Sequence, residues 1–248
     1  IIDPAEASES ELHLYRGAYN YYRNTNIYSE ETFNVFKDRK EHTVIFRSQL
    51  HSRVATGELL TLKIEYIVNK DYIPMYVSVE RILGEDSASE VYEYDERNNA
   101  LKYTFTNREG NVTESELNTA PRFHIAVPCA ACSMLYLRSK KFDSTSKNIY
   151  HFWSSKNAWE HEEDPITQNI AVQRISNTAE NLTLEGQNLQ AVEYKVYPNV
   201  DEETQSKKED AGPPAGLRVY LSKHMTIPYL IKDPAGTKIQ VKFLNHLE

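Results

Sequence analysis

Leu101-Lys102-Tyr103-Thr104-Phe105-Thr106 is the stretch from which the fold is read. Apolar Leu101, Tyr103 and Phe105 alternate with Lys102, Thr104 and Thr106, the period of a strand with one dry face and one wet face. Asn107-Arg108-Glu109-Gly110-Asn111 then supplies turn residues, and Val112 to Leu117 returns as the second arm of a hairpin. Upstream, Leu60, Leu62, Ile64, Tyr66 and Val68 alternate with Thr61, Lys63 and Glu65 in the same way. Before them, strands are expected at about His13–Tyr22, Thr32–Lys37 and Thr43–Arg53, with Pro74 marking another start ahead of Val77 and Val79. Gly84-Glu85-Asp86-Ser87 reads as a turn, followed by a strand over Val91–Asp95. Downstream, strands are expected at about 148–153, 170–175, 181–184, 191–197, 217–221, 227–231 and 238–244, with Asp233-Pro234-Ala235-Gly236 as the last turn. Turn signals recur every 8–12 residues or so, the spacing of an antiparallel sandwich or barrel. The expected fold is therefore all-β and mainly antiparallel, a curled sheet or barrel of about twelve to fifteen strands.

One stretch breaks the pattern. In Pro128-Cys129-Ala130-Ala131-Cys132-Ser133-Met134-Leu135-Tyr136-Leu137-Arg138, proline stands where a first helical residue tolerates it, and good helix formers follow. Ala131, Met134, Leu135 and Arg138 have helical spacing. A single central helix is expected over residues 128–139, plugging or capping the sheet.

The chain has 248 residues, 40% hydrophobic and 26% charged, with 17 Tyr and 8 Phe, enough to build a sizeable core. Its net charge of −8, with no Lys/Arg cluster, argues against nucleic acid and anionic membrane surfaces as partners. No apolar run is long enough to span a bilayer as a helix. Residues 1–11 read as a flexible start, 12–246 as a single β-domain, and the charged, Pro/Gly-rich stretch 198–216 as a mobile loop. The first residue is Ile1, and a removed leader is expected, with export to the periplasm or cell envelope.

Cys129 and Cys132 form a CxxC pair whose sulfurs fall within bonding reach, a disulfide or redox candidate. The strand–helix–strand setting of a thioredoxin motif is absent, which favours a structural role. His124, Cys129 and Cys132 give three potential zinc ligands without a fourth, so no metal is expected. Ser133 has no Gly-x-Ser-x-Gly setting, His161-Glu162-Glu163-Asp164 reads as a solvated acidic loop, and no catalytic residue or cofactor is assigned.

Ser133-Met134-Leu135-Tyr136-Leu137-Arg138, Leu217-Arg218-Val219-Tyr220-Leu221-Ser222 with Ile227-Pro228, and Ile239-Gln240-Val241-Lys242 resemble motifs of an uncharacterised bacterial family of exported β-proteins, a domain of unknown function. That resemblance implies a half-open, lipocalin-like barrel and transfers no activity. Tyr220 stands where the family carries Trp.

Three functions are weighed. The first is a non-enzymatic envelope protein holding an apolar or amphipathic ligand, such as a lipid, in a cavity lined by Leu62, Ile64, Tyr66, Tyr103, Phe105, Met134 and Trp153. The second is an enzyme acting on envelope glycan or lipid. The third is an interaction protein that docks through its Tyr-rich faces. A filled interior would count against the first.

Overall fold

The protein is described by a computed structural model over residues 8–198 and 216–247. The mobile loop expected over 198–216, and most of the flexible start, lie outside the described residues. Among these residues sixteen strands follow in chain order. The first eight are β1 (Glu11–Arg23), β2 (Asn26–Asp38), β3 (Thr43–Arg53), β4 (Leu59–Val68), β5 (Pro74–Leu83), β6 (Asp86–Asp95), β7 (Ala100–Thr106) and β8 (Val112–Asn118). The others are β9 (His124–Ile125), β10 (Asn148–Ser154), β11 (Ile166–Arg174), β12 (Glu180–Leu184), β13 (Gln187–Tyr197), β14 (Leu217–Leu221), β15 (Pro228–Lys232) and β16 (Thr237–His246).

They form one sheet in the order β8-β7-β6-β5-β4-β3-β2-β1-β16-β15-β14-β13-β11-β10-β9, with β12 paired to β13. All pairings are antiparallel except β9 with β10. Laid flat, fifteen strands at about 4.8 Å spacing would separate β8 from β9 by roughly 65–70 Å. Yet Asn118 and His124 are six residues apart, a reach of about 20 Å. The sheet must therefore curl until its two edges approach. Register shifts on both sides of β1, at Ala18/Tyr19, His13/Tyr15 and Tyr21/Tyr22, supply bends of the kind that such curling needs. The edges meet through side chains and loops instead of a ladder. Trp153 Nε1 donates to Thr119 Oγ1 at 3.0 Å, Ser115 Oγ to Asp164 Oδ1 at 2.5 Å, and Arg108 pairs with Glu160 at 3.4 Å. The result is a curled sheet that stays open.

Cross-strand partners share a face, so the register identifies the inner rows. Val35, Phe46, Tyr66, Val77, Tyr92 and Tyr103 form one, and Phe33, Ser48, Ile64, Val79, Glu90 and Phe105 the next. Backbone approach is close where the sheet bends: a methyl on Gly17 would run into the Phe33 ring and come within 2.9 Å of the Phe243 carbonyl.

The concave side is filled by the chain itself. Residues 126–139 enter it as a plug, burying Cys129, Ala130, Ala131, Cys132, Met134, Leu135 and Tyr136 in the same apolar cluster as the inner rows. The expected central helix is not there. Its only helical turn is a 3-10 turn at Leu135–Arg138. The bonds present run from residue i to i−3: Ser133 N to Ala130 O at 3.1 Å, Leu137 N to Met134 O at 3.3 Å, and Ser139 N to Tyr136 O at 3.0 Å. Ser133 Oγ and Ser139 Oγ also donate to the Ala130 and Tyr136 carbonyls, each at 2.7 Å, competing with an i−4 ladder. The plug is buried on nearly every side, so it gains more from fitting the concavity than from helix propensity.

Candidate functional site

Two polar centres flank the plug. The first is Glu31 on the inner face of β2, fully buried. Its carboxylate accepts the Tyr21 hydroxyl and the Ala130 and Ala131 amides, the last two at 2.8 and 3.1 Å. Burial pushes its pKa up, and the bonds from Tyr21, Ala130 and Ala131 pull it partly back. This is a fastening between sheet and plug. Tyr66 makes a second fastening across the curl, donating to Ile125 O at 3.2 Å and accepting Ile125 N at 3.1 Å.

The second centre opens outward at the β9–β10 edge. A pocket of about 390 Å³ is lined by Ala120, Pro121, Arg122, His124, Ser139, Lys140, Ile149, Tyr150 and His151. The antiparallel partner β11 fixes β10, and β10 in turn places His124 opposite Phe152. His124 packs among Tyr136, Tyr150 and Phe152, with ring centroids 5.7, 6.0 and 5.4 Å away. Burial, and then the charges of Lys140 and His151, lower its pKa to about 3, so it is neutral at pH 7. Arg122 Nη1 donates to Ser139 O at 2.6 Å and Lys140 Nζ to Ile149 O at 2.5 Å. Lys140 also lies 4.5 Å over the Tyr150 ring. Burial, and then Arg122, lower the Lys140 pKa. Both cations thus meet neutral carbonyls. Among the described residues neither is paired with a carboxylate, and no acid lines the pocket. Tyr150 lines this pocket and is 2% exposed; its hydroxyl is buried and, like four other buried side-chain atoms among the described residues, has no hydrogen-bond partner.

His124 Nε2 lies 3.3 Å from Ser139 Oγ. This is not a catalytic pair as it stands. The serine proton is directed to Tyr136 O, and no lining acid orients the other imidazole nitrogen.

A larger groove of about 530 Å³ crosses the outer face of β2 to β5. It carries both signs of charge, and its Arg47 is already paired with Glu11 at 3.0 Å and Glu65 at 2.8 Å. Size alone does not make it the better site.

Of the residues expected to line a ligand cavity, Ile64, Tyr66, Tyr103, Phe105, Met134 and Trp153 are buried in the common core, and Leu62 packs against it. Tyr103 has a tying role: its hydroxyl donates to Glu90 at 2.7 Å and accepts Asn157 Nδ2 at 3.0 Å, binding the loop after β10 to the sheet. Arg81 pairs with the same Glu90 at 2.9 Å. Cys129 and Cys132 are buried free thiols beside the Glu31 fastening, and His124 faces the other centre. Among the described residues no three His, Cys, Asp or Glu side chains group as metal ligands. Sequence reasoning missed Arg122, Ser139, Lys140, Tyr150 and His151 as a group, because three separate segments contribute them.

Fold and site together define a β-barrel-like domain with an open curled sheet, plugged by its own chain. Among solved structures it is similar to a β-barrel-like protein of the domain of unknown function DUF1849 from Brucella abortus. That likeness has a TM-score of 0.52 and 8% identity, and covers 96% of this chain and 99% of that one. A DUF1089 family protein from Pseudomonas aeruginosa aligns with a TM-score of 0.42 and 15% identity over 72% of this chain and 86% of that one. No protein-family model matches the sequence, and no curated protein does. The expected likeness to uncharacterised bacterial β-proteins is found, at the level of the fold. Among the described residues no helix is long and apolar enough to cross a membrane.

Proposed function

We propose that this protein is a non-enzymatic binding module that holds the oxyanion end of a small amphipathic molecule, a carboxylate or phosphate, in the β9–β10 pocket. One observation carries the reading: the pocket's charged lining is entirely basic, with Arg122 and Lys140 paired to no carboxylate among the described residues, in a chain of net charge −8. An anion accepting charge-assisted hydrogen bonds from Arg122 and Lys140 would balance that lining. Pro121, Ile149 and the Tyr150 ring offer the apolar wall for the remainder of the ligand. A wholly apolar ligand in the sheet interior would instead have to displace the plug from Glu31 and from the common core. The cell envelope is proposed as the setting on the sequence reading alone.

Calorimetric titration with benzoate, inorganic phosphate and neutral benzamide tests this. Benzoate and phosphate should bind and benzamide should not, with affinity falling as salt rises. Arg122→Ala and Lys140→Ala should each weaken binding about 10- to 100-fold, the range for a charge-assisted hydrogen bond. Equal binding of benzamide and benzoate, or indifference to both substitutions, would refute the assignment.

A further inference from the structure

The Cys129-Ala130-Ala131-Cys132 turn brackets the two amides that hold Glu31. Ala130 N and Ala131 N are the plug's donors to that carboxylate, at 2.8 and 3.1 Å, and a cysteine stands immediately on either side. Both thiols are free and buried, 5% and 6% exposed, and they stand three residues apart at the two ends of one turn. The turn is held by Ser133 N to Ala130 O at 3.1 Å. Around it stand Tyr19, Tyr21 and Tyr66, whose hydroxyls are spent on Pro228 O, Glu31 and Ile125 O. Nothing in the binding reading uses this pair.

We propose that Cys129 and Cys132 close to an intramolecular disulfide that fixes the Ala130–Ala131 amides against Glu31, so that the oxidation state of the pair sets how firmly the plug is held. The oxidant is a small disulfide. One cysteine thiolate attacks it, forming a mixed disulfide and expelling one thiolate, which takes up a proton. The second cysteine then attacks the protein sulfur of that mixed disulfide and expels the second thiol. Two thiols of the protein are oxidised to one S–S bond, and the external disulfide is reduced to two thiols. Burial, and then the neighbouring Cys129 and Glu31, push the Cys132 thiol pKa well up. Exchange in the folded protein is therefore slow and passes through opening of the plug. The closed pair shortens the list of conformations open to the turn, which stabilises the folded state.

The test uses the full chain, refolded in oxidised and in reduced glutathione, then alkylated under denaturing conditions and weighed intact. The oxidised sample should be lighter than the reduced, unalkylated protein by the two hydrogens lost, and should resist alkylation at both cysteines. Its melting temperature should exceed that of the reduced form by about 4–8 °C. In Glu31→Gln, where one amide loses its acceptor, that gap should narrow. A Cys129→Ser/Cys132→Ser protein should melt at one temperature whichever glutathione is present. Cysteines that stay alkylatable, glutathione adducts in place of an internal bond, or an oxidised form that melts no higher than the reduced one would each overturn the proposal. A gap unchanged by Glu31→Gln would overturn the link to the carboxylate.

Discussion

His124 shows how one buried side chain makes the protein answer to pH. An unfolded histidine takes up its proton near pH 6.5. The folded one, desolvated and facing Lys140 and His151, holds off until about pH 3. Between those values the unfolded chain binds more protons, so stability falls as pH drops across that window, at most by roughly 1.4 kcal/mol per pH unit from this group. Glu31 acts with the opposite sign. Its raised pKa gives stability that is full below the unfolded carboxylate value and fades as pH rises through the folded one. Comparing the wild type with His124→Phe, which keeps an aromatic ring among Tyr136, Tyr150 and Phe152, separates the two. Denaturant melts from pH 7 to pH 4 should show a shallower acid loss in His124→Phe, whereas equal slopes would mean His124 is not held neutral.

At the scale of elements, the plug is the part whose stability is least obvious. Burying the Glu31 carboxylate costs free energy, but it satisfies Tyr21 and two plug amides at once. Removing it leaves buried donors unpaired, at about 1–3 kcal/mol each. Glu31→Ala is therefore expected to lose about 2–4 kcal/mol in urea unfolding. No loss would mean that packing alone seats the plug. The strands themselves were legible because a half-buried strand writes its two faces into the sequence. Thr43–Arg53 and Leu217–Leu221 match their expected ends, and Leu60 to Val68 alternates as observed. β9 was missed, since two residues carry no period. The helix expected at 128–139 failed for a physical reason: propensity is a weak prior, and a segment buried on most sides obeys its cavity. Glu31 could have been found, because it continues the apolar row of Phe33 and Val35 in β2. Arg122, Lys140 and Tyr150 could not, because the parallel β9–β10 pairing and the return of the chain from the plug bring them together.

The described residues form a sheet whose edges nearly meet around a piece of its own chain, and under the proposed binding function that arrangement decides where a ligand can go. A lipocalin-like barrel holds its ligand inside; here the inner rows and the plug share one core, leaving the basic pocket at the β9–β10 edge. Backbone amide chemical shifts, followed by NMR while benzoate is added, distinguish the two directly. The account predicts that the shifted amides cluster at Arg122, His124, Ser139, Lys140, Tyr150 and His151. Shifts centred instead on Leu62, Ile64, Tyr103 and Phe105 would contradict it, and would place the ligand in the interior.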